Sequence, residues 1–324
     1  MSGYLTIEAL EDGLTVKLSR NACEYCVDGD GNWKSLTAGT LTESINAGHI
    51  LSFRGELTPK SYSGIGRFTV NKNFNLKGNC VSMLFGDNAA DNYSLSGKDY
   101  AFYELFYNCD TLKSVSANFL PATTLASNCY YKMFYNCTSL KTAPALPAMT
   151  LLANCYYSMF RNCKSLTTAP ALPATTLADS CYYDMFYGCN ALTTAPALPA
   201  TTLIDGCYKD MFSSCASLTT APALPATILA ENCYNCMFMN CTSLTTAPEL
   251  PATTLAENCY SQIFDGCSNL NYIKMLATNI SASRCLNYWV DGVASSGIFV
   301  KKSAMTNLPT GTSGIPSGWT VQNV

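Results

Sequence analysis

Apolar positions recur along most of this chain with a fixed period. Cysteines stand at 129, 155, 181, 207, 233, 259 and 285, always 26 apart, and a second series runs 137, 163, 189, 215, 241 and 267 at the same interval. Such self-similarity marks a chain of stacked units, each burying a face against the next. With the first cysteine of a unit as column one, apolar side chains fill columns one, five, six and nine, as in Cys155, Met159, Phe160 and Cys163. That spacing predicts two short turns of α- or 3₁₀-helix over "CYYSMFRNC". Asn or Gly in column eight (Asn136, Asn162, Gly188, Asn240, Gly266) suits a left-handed residue that ends a helix. Leu140 and its counterparts in column twelve lead into an extended segment. In the last full unit Ile273 and Met275 alternate with Tyr272 and Lys274, the period of a strand. The repeated proline of "TAPAL" (Pro144, Pro170, Pro196, Pro222, Pro248) has no N–H to give, which predicts a short ladder around the preceding threonines.

The ends of the pattern are irregular. The unit over 101–128 has two extra residues and Ala101 in place of the first cysteine; a weaker unit begins at "CVSMLFGD", and the pattern lapses after Cys285. Residues 4–78 read instead as short alternating runs ("YLTIEAL", "LTVKLS", "HILSFRGEL") split by Gly, Asp and Asn turns. The expected organisation is a small β-sandwich-like domain (1–78), a repeat region (79–290) entered through a polar loop within 81–100, and a C-terminal capping segment (291–324). Helical turns, a leucine, a short strand and a turn make one coil of a leucine-rich repeat. The expected fold is therefore an α+β repeat solenoid of that type behind a small all-β domain.

The run "MFxxCxxL", followed by a strand and "LP", resembles the BspA-type leucine-rich repeats of bacterial surface proteins over about residues 80–290. The resemblance implies adhesion to a host or bacterial surface protein or glycan, at the bacterial cell surface or in secreted form. A bacteriophage tail or fibre component is the competing expectation, and only that one calls for an oligomer, placed in the virion tail. The N-terminus "MSGYLTIEALEDGLTVKLSR" shows no basic stretch followed by an apolar one, so no signal peptide is expected in this chain.

Composition narrows the partners. A net charge of −3 with 13% charged residues argues against a nucleic-acid surface, which needs clustered Lys and Arg. No apolar run reaches the roughly 18 residues of a membrane span. Columns one and nine lie too far apart for a disulfide within a unit, and equivalent cysteines of neighbouring units point alike, so the eighteen thiols read as small buried hydrophobes. A lone histidine and no convergent CxxC pairs leave no metal site and no cofactor. In "CEYC" (23–26) the two cysteines face opposite sides of a strand, and Cys236, alone in column four, reads as an exposed thiol. Asp28, Asp30 and Asn32 match the first ligands of a calcium loop, but Trp33 and Gly39 replace its glycine and closing glutamate, so a hairpin turn is expected. His49 is isolated, and Asp184, Asp210, Glu231, Glu249 and Glu257 are scattered. No catalytic residue is selected, and no enzyme is expected.

A candidate binding surface comes from comparing the units with one another. Column three reads Tyr103, Tyr131, Tyr157, Tyr183, then Lys209, Asn235, Ser261; column seven reads Tyr107, Tyr135, Arg161, Tyr187, then Ser213, Met239, Asp265. On a helix these columns would be neighbours at i and i+4. Tyrosine and arginine are enriched at recognition surfaces, so Tyr103, Tyr107, Tyr131, Tyr135, Tyr157, Arg161, Tyr183 and Tyr187 are the expected ligand-binding set.

Overall fold

A computed structural model describes residues 3–91 and 93–324. Met1 and Ser2 of the expected first domain, and Asn92 of the expected joining loop, lie outside the described residues. Residues 5–78 form seven strands: β1 (Leu5–Ala9), β2 (Val16–Leu18), β3 (Cys23–Val27), β4 (Lys34–Leu36), β5 (Ile50–Arg54), β6 (Phe68–Val70) and β7 (Phe74–Gly78). Alternation decides their faces: Leu5, Ile7 and Ala9 of β1 and Phe74 and Leu76 of β7 all turn into one core. A further strand, β8 (Leu112–Val115), belongs to the first repeat unit, yet it completes a sheet in the order β4-β3-β5-β1-β7-β8. β7 and β8 pair in parallel, so the sheet runs across the boundary expected at 78/79. The ribbon of β2 and β6 sets Phe68 against Phe53 at 5.1 Å and against Phe106 of the first unit at 5.4 Å.

The α+β leucine-rich-repeat solenoid does not survive. Only 3% is helical against 21% strand, and the one α-helix among the described residues, α1 (Ser82–Phe85), precedes the regular units. The segment from column one to column nine consists of consecutive turns, and the reason lies in its backbone. Every fourth residue is left-handed: Asn128, Lys132 and Asn136 have φ of 57°, 52° and 59°, and Ser180, Asp184 and Gly188 have φ of 51°, 57° and 68°. The left-handed residue expected at column eight is present, but two more precede it, and an α-helix cannot propagate through them. The hydrogen bonds divide accordingly. Even-column N–H groups donate to the next unit: Tyr130 to Cys155 O (3.0 Å), Lys132 to Tyr157 O (2.9 Å), Phe134 to Met159 O (3.0 Å). Odd-column N–H groups close local turns, as Met133 does on Tyr130 O (3.2 Å). Half the backbone donors of this segment therefore bond between units, where a helix would keep them within itself.

The rest of each unit is extended, with parallel bridges at two columns. One joins Ser114, Thr142 and Thr168, then Thr194 and Thr220, then Thr246 and Tyr272; the other joins Thr150 to Thr176 and Thr202 to Ile228. The proline lies two residues past the first bridge and interrupts no ladder bond there. At the C-terminal end β9 (Tyr272–Met275), β10 (Ile298–Lys301) and β11 (Thr320–Asn323) continue the stack in parallel. Trp289 is fully buried against Phe264 at 6.4 Å, while all four residues of β11 are exposed.

Rings run the length of the core. Column six stacks Phe106, Phe134, Phe160, Phe186, Phe212, Phe238 and Phe264 at 5.6–5.9 Å. Column two stacks Phe102, Tyr130, Tyr156, Tyr182, Tyr208, Tyr234 and Tyr260 at 5.6–6.1 Å. All eighteen cysteines are free and buried. Column-nine thiols donate to the column-six carbonyl of the preceding unit, as Cys189 does to Phe160 O (3.1 Å) and Cys215 to Phe186 O (3.1 Å). Burial pushes the pKa of these thiols up, Cys215 to about 12. Cys236 is not the exposed thiol expected. It is 8% exposed, because column four turns inward between columns three and seven, here Asn235 and Met239, and its thiol donates to Asn235 Oδ1 at 3.2 Å.

Candidate functional site

The eight candidate residues come together as two rows on one face, through stacked turns and not through a helix. Tyr103, Tyr131, Tyr157 and Tyr183 form the first row, with ring centroids 4.9, 4.6 and 4.6 Å apart and planes within 13° of parallel. This is close to the 4.7–4.9 Å repeat of paired strands, so these rings sit nearly squarely over one another, whereas the core rings are slipped sideways. The second row begins with the Arg67 guanidinium 4.5 Å from the Tyr107 ring centre and runs through Tyr135, 4.8 Å beyond. It ends with Arg161 lying 3.8 Å over Tyr187. Lys132 bridges the rows, its Nζ 5.1 Å from the centre of Tyr131 and 5.6 Å from that of Tyr135, and Lys209 closes the first row 5.4 Å from Tyr183.

All eight side chains are half-buried. Their faces are largely occupied by one another, so the rows present ring edges and hydroxyls instead of open faces. None of the hydroxyls is buried without a partner. Burial holds the phenols of Tyr103, Tyr131 and Tyr183 up at about 12, so at neutral pH they are neutral and can donate.

Between the rows runs column four: Lys132, Ser158, Asp184, Asp210, Cys236 and Gln262. Asp184 forms an ion pair with Arg161 and accepts from Ser158 Oγ at 3.3 Å. Burial raises the Asp184 pKa while Arg161 opposes it. Burial also works against the Arg161 charge, yet Asp184 raises that pKa. The direct guanidinium–carboxylate contact favours the ionised pair. One unit on, burial and the Asp184 charge push Asp210 up to about 7. These two acids were scattered in the sequence; a spacing of 26 residues makes them neighbours.

Asp28 accepts from the Ile50 N–H (2.9 Å) and pairs with His49 Nδ1 (2.6 Å), and Asp30 Oδ1 accepts from the Asn32 N–H (2.8 Å) within the β3–β4 hairpin. Cys23 lies in the main core and Cys26 outside it, on the opposite face of β3. Among the described residues no group of three or more His, Cys, Asp or Glu side chains is placed to hold a metal ion. No described helix is long and apolar enough to cross a membrane.

Comparison with protein-family models, with curated proteins and with solved structures finds no match to this chain.

Sequence reasoning missed the partners that frame the rows. Tyr62 and Tyr100 extend the first row at its N-terminal end, with Tyr100 5.9 Å from Tyr103, and Arg67 and Glu104 form an ion pair beside it. No periodicity marks Tyr62 or Arg67, because both lie ahead of the repeats. The column-two tyrosines did carry a signal: six successive units keep Tyr there while column three drifts, as core positions do.

Proposed function

We propose that this protein is a non-enzymatic recognition protein of the bacterial cell surface, binding an extended protein or glycan along the tyrosine face of residues 101–188. The observation that carries the reading is the pair of square-stacked rows, which present at least seven tyrosine edges at a regular spacing on a backbone tied from unit to unit. A surface ordered before binding loses little entropy on association, and Tyr and Arg are the residue types that dominate such interfaces. Later units lose the aromatic edges at Asn235, Met239 and Asp265, which confines the surface to one end.

The test must spare the stacking, which also packs the units. Replacing Tyr131, Tyr157 and Tyr183 together by Phe keeps three rings and removes three hydroxyls. Whole chain probed against arrays of surface glycans and matrix proteins should show binding that this variant weakens about tenfold or more, with an unchanged melting temperature. Asn235→Ala with Met239→Ala should leave binding as it is. Undiminished binding by the folded triple variant would move recognition off this face.

A further inference from the structure

The first tyrosine row ends in a cleft of about 420 Å³ lined by Ser19, Arg20, Tyr62, Ser63, Arg67, Tyr103 and Glu104. That size lies in the range of small-ligand sites, but the lining is polar, unlike that of a pocket for an apolar molecule. The cleft is held in shape by the loop 60–66. Lys60 and Gly64 exchange backbone hydrogen bonds (3.1 and 2.8 Å), and Asn21 Nδ2 donates to Ile65 O (3.2 Å). Gly64 has φ of 53°, and a Cβ there would meet Tyr100 O at 2.8 Å. A Cβ on Gly66, φ 104°, would meet Arg20 N at 3.1 Å. Two glycines thus let the loop press its backbone onto both walls.

The chemistry of the walls is specific. Tyr62, which lines the cleft, is 74% exposed and meets Tyr100 at 5.0 Å with the ring planes 54° apart, so its ring is not covered by stacking. Arg67 is neutralised by Glu104 and leans on Tyr107. Arg20 is exposed and makes no ion pair among the described residues. The cleft therefore offers one exposed aromatic ring, hydroxyl groups from Ser19 and Ser63, and one uncompensated guanidinium. An exposed aromatic ring suits the apolar face of a sugar ring, and a guanidinium suits a planar or tetrahedral anion.

We propose that this cleft binds a saccharide unit carrying an anionic group, carboxylate or sulfate, with Arg20 taking the charge and Tyr62 the sugar face. The inference rests on the recognition reading above and names its ligand class: the anionic unit anchors one end of a chain that runs on along the tyrosine rows.

Calorimetric titration of the whole chain at low salt tests it with matched probes. These are tetragalacturonate, its fully methyl-esterified neutral form, and a neutral disaccharide with and without a sulfate. Tetragalacturonate or the sulfated disaccharide should bind at least tenfold more tightly than its uncharged match, which of them does so identifying the anion, and the preference should shrink as salt rises. Arg20→Gln should erase the preference, and Tyr62→Asn, which tolerates the φ of 56° at this position, should weaken charged and neutral forms alike. Equal affinity for matched forms, or a preference intact in Arg20→Gln, overturns the cleft assignment. If, in addition, the Tyr131/Tyr157/Tyr183→Phe variant loses binding, the tyrosine rows stand without the cleft. Binding of no probe at millimolar concentration removes the saccharide assignment, while a protein hit on the arrays would leave the recognition reading in place.

Discussion

At the residue scale, identical side chains do different work according to column. The Tyr208 and Tyr130 hydroxyls are buried with no hydrogen-bond partner, although both rings stack well. A buried unpaired hydroxyl costs about 1–3 kcal/mol, so Tyr208→Phe should be neutral or raise the denaturation midpoint. Phe186→Ala should cost about 3–5 kcal/mol, because its ring packs against Phe160 and Phe212, each 5.7 Å away, and neither unit can close the gap alone. Asp210 carries the pH dependence. Its folded pKa of about 7 exceeds the ordinary 3.8, for burial and Asp184 outweigh Lys209 and Arg161. Between those pH values the folded state holds the extra proton, so stability falls as pH rises from about 4 to 7 and levels off above. Asp210→Asn should therefore stabilise the protein by on the order of 1–3 kcal/mol at pH 8 and hardly at all at pH 4, in paired denaturant titrations. A variant gain of equal size at both pH values would show that the acid is not strained by ionisation.

At the scale of the element, the turn segment is distinguishable from the helix it imitates. Its apolar columns one, five, six and nine fit helical spacing because a chain of four-residue turns repeats nearly as a helix does. Glycine tells the two apart. In a helix interior Lys132→Gly would cost about 1 kcal/mol; here φ is 52°, where glycine is at ease and a β-branched residue is not. Lys132→Gly should leave the melting temperature within a degree or two, with loss of the cation–π contacts offsetting relief of the backbone, whereas Lys132→Val should lower it clearly. A helical far-UV circular dichroism spectrum from the wild type would contradict the turn ribbon outright. The column-eight glycines are a separate case. At Gly188 a Cβ would come within 2.5 Å of Asn162 Oδ1, so a side chain there would require the Asn162 amide to turn aside.

At the scale of the molecule, the N-terminal strands act as the first layer of the stack. The phenylalanine column begins at Phe68 of β6, and the β7–β8 pairing hands the sheet on to the first unit. In a quasi-one-dimensional array each layer leans on its neighbours. Phe68→Ala should therefore loosen the units nearest it more than those beyond 230, which amide hydrogen exchange would resolve along the chain. Uniform loosening would mean that the array unfolds as one block. Trp289 does the corresponding work at the other end, packing on Phe264 and donating from Nε1 to Gly314 O at 2.9 Å.

The period, the burial of the column-one and column-nine cysteines, the strand at 272–275 and the hairpin turn at 28–32 follow from the spacing and type of nearby residues, and the sequence by itself determined them. A 26-residue spacing of identical side chains dictates that like stacks on like, and a carboxylate beside a turn caps the N–H groups within its reach. What only the tertiary structure decided is where the backbone sends its hydrogen bonds. Columns one to nine satisfy both a helix and a ribbon of turns in their apolar spacing, and the choice falls to the ribbon because its even-column donors find carbonyls 25 residues further on, in a unit that exists only once the stack has formed. The same long-range contact turns Asp184 and Asp210 into neighbours, buries Cys236, and places Tyr62 and Arg20, which no period announces, at the head of the tyrosine rows.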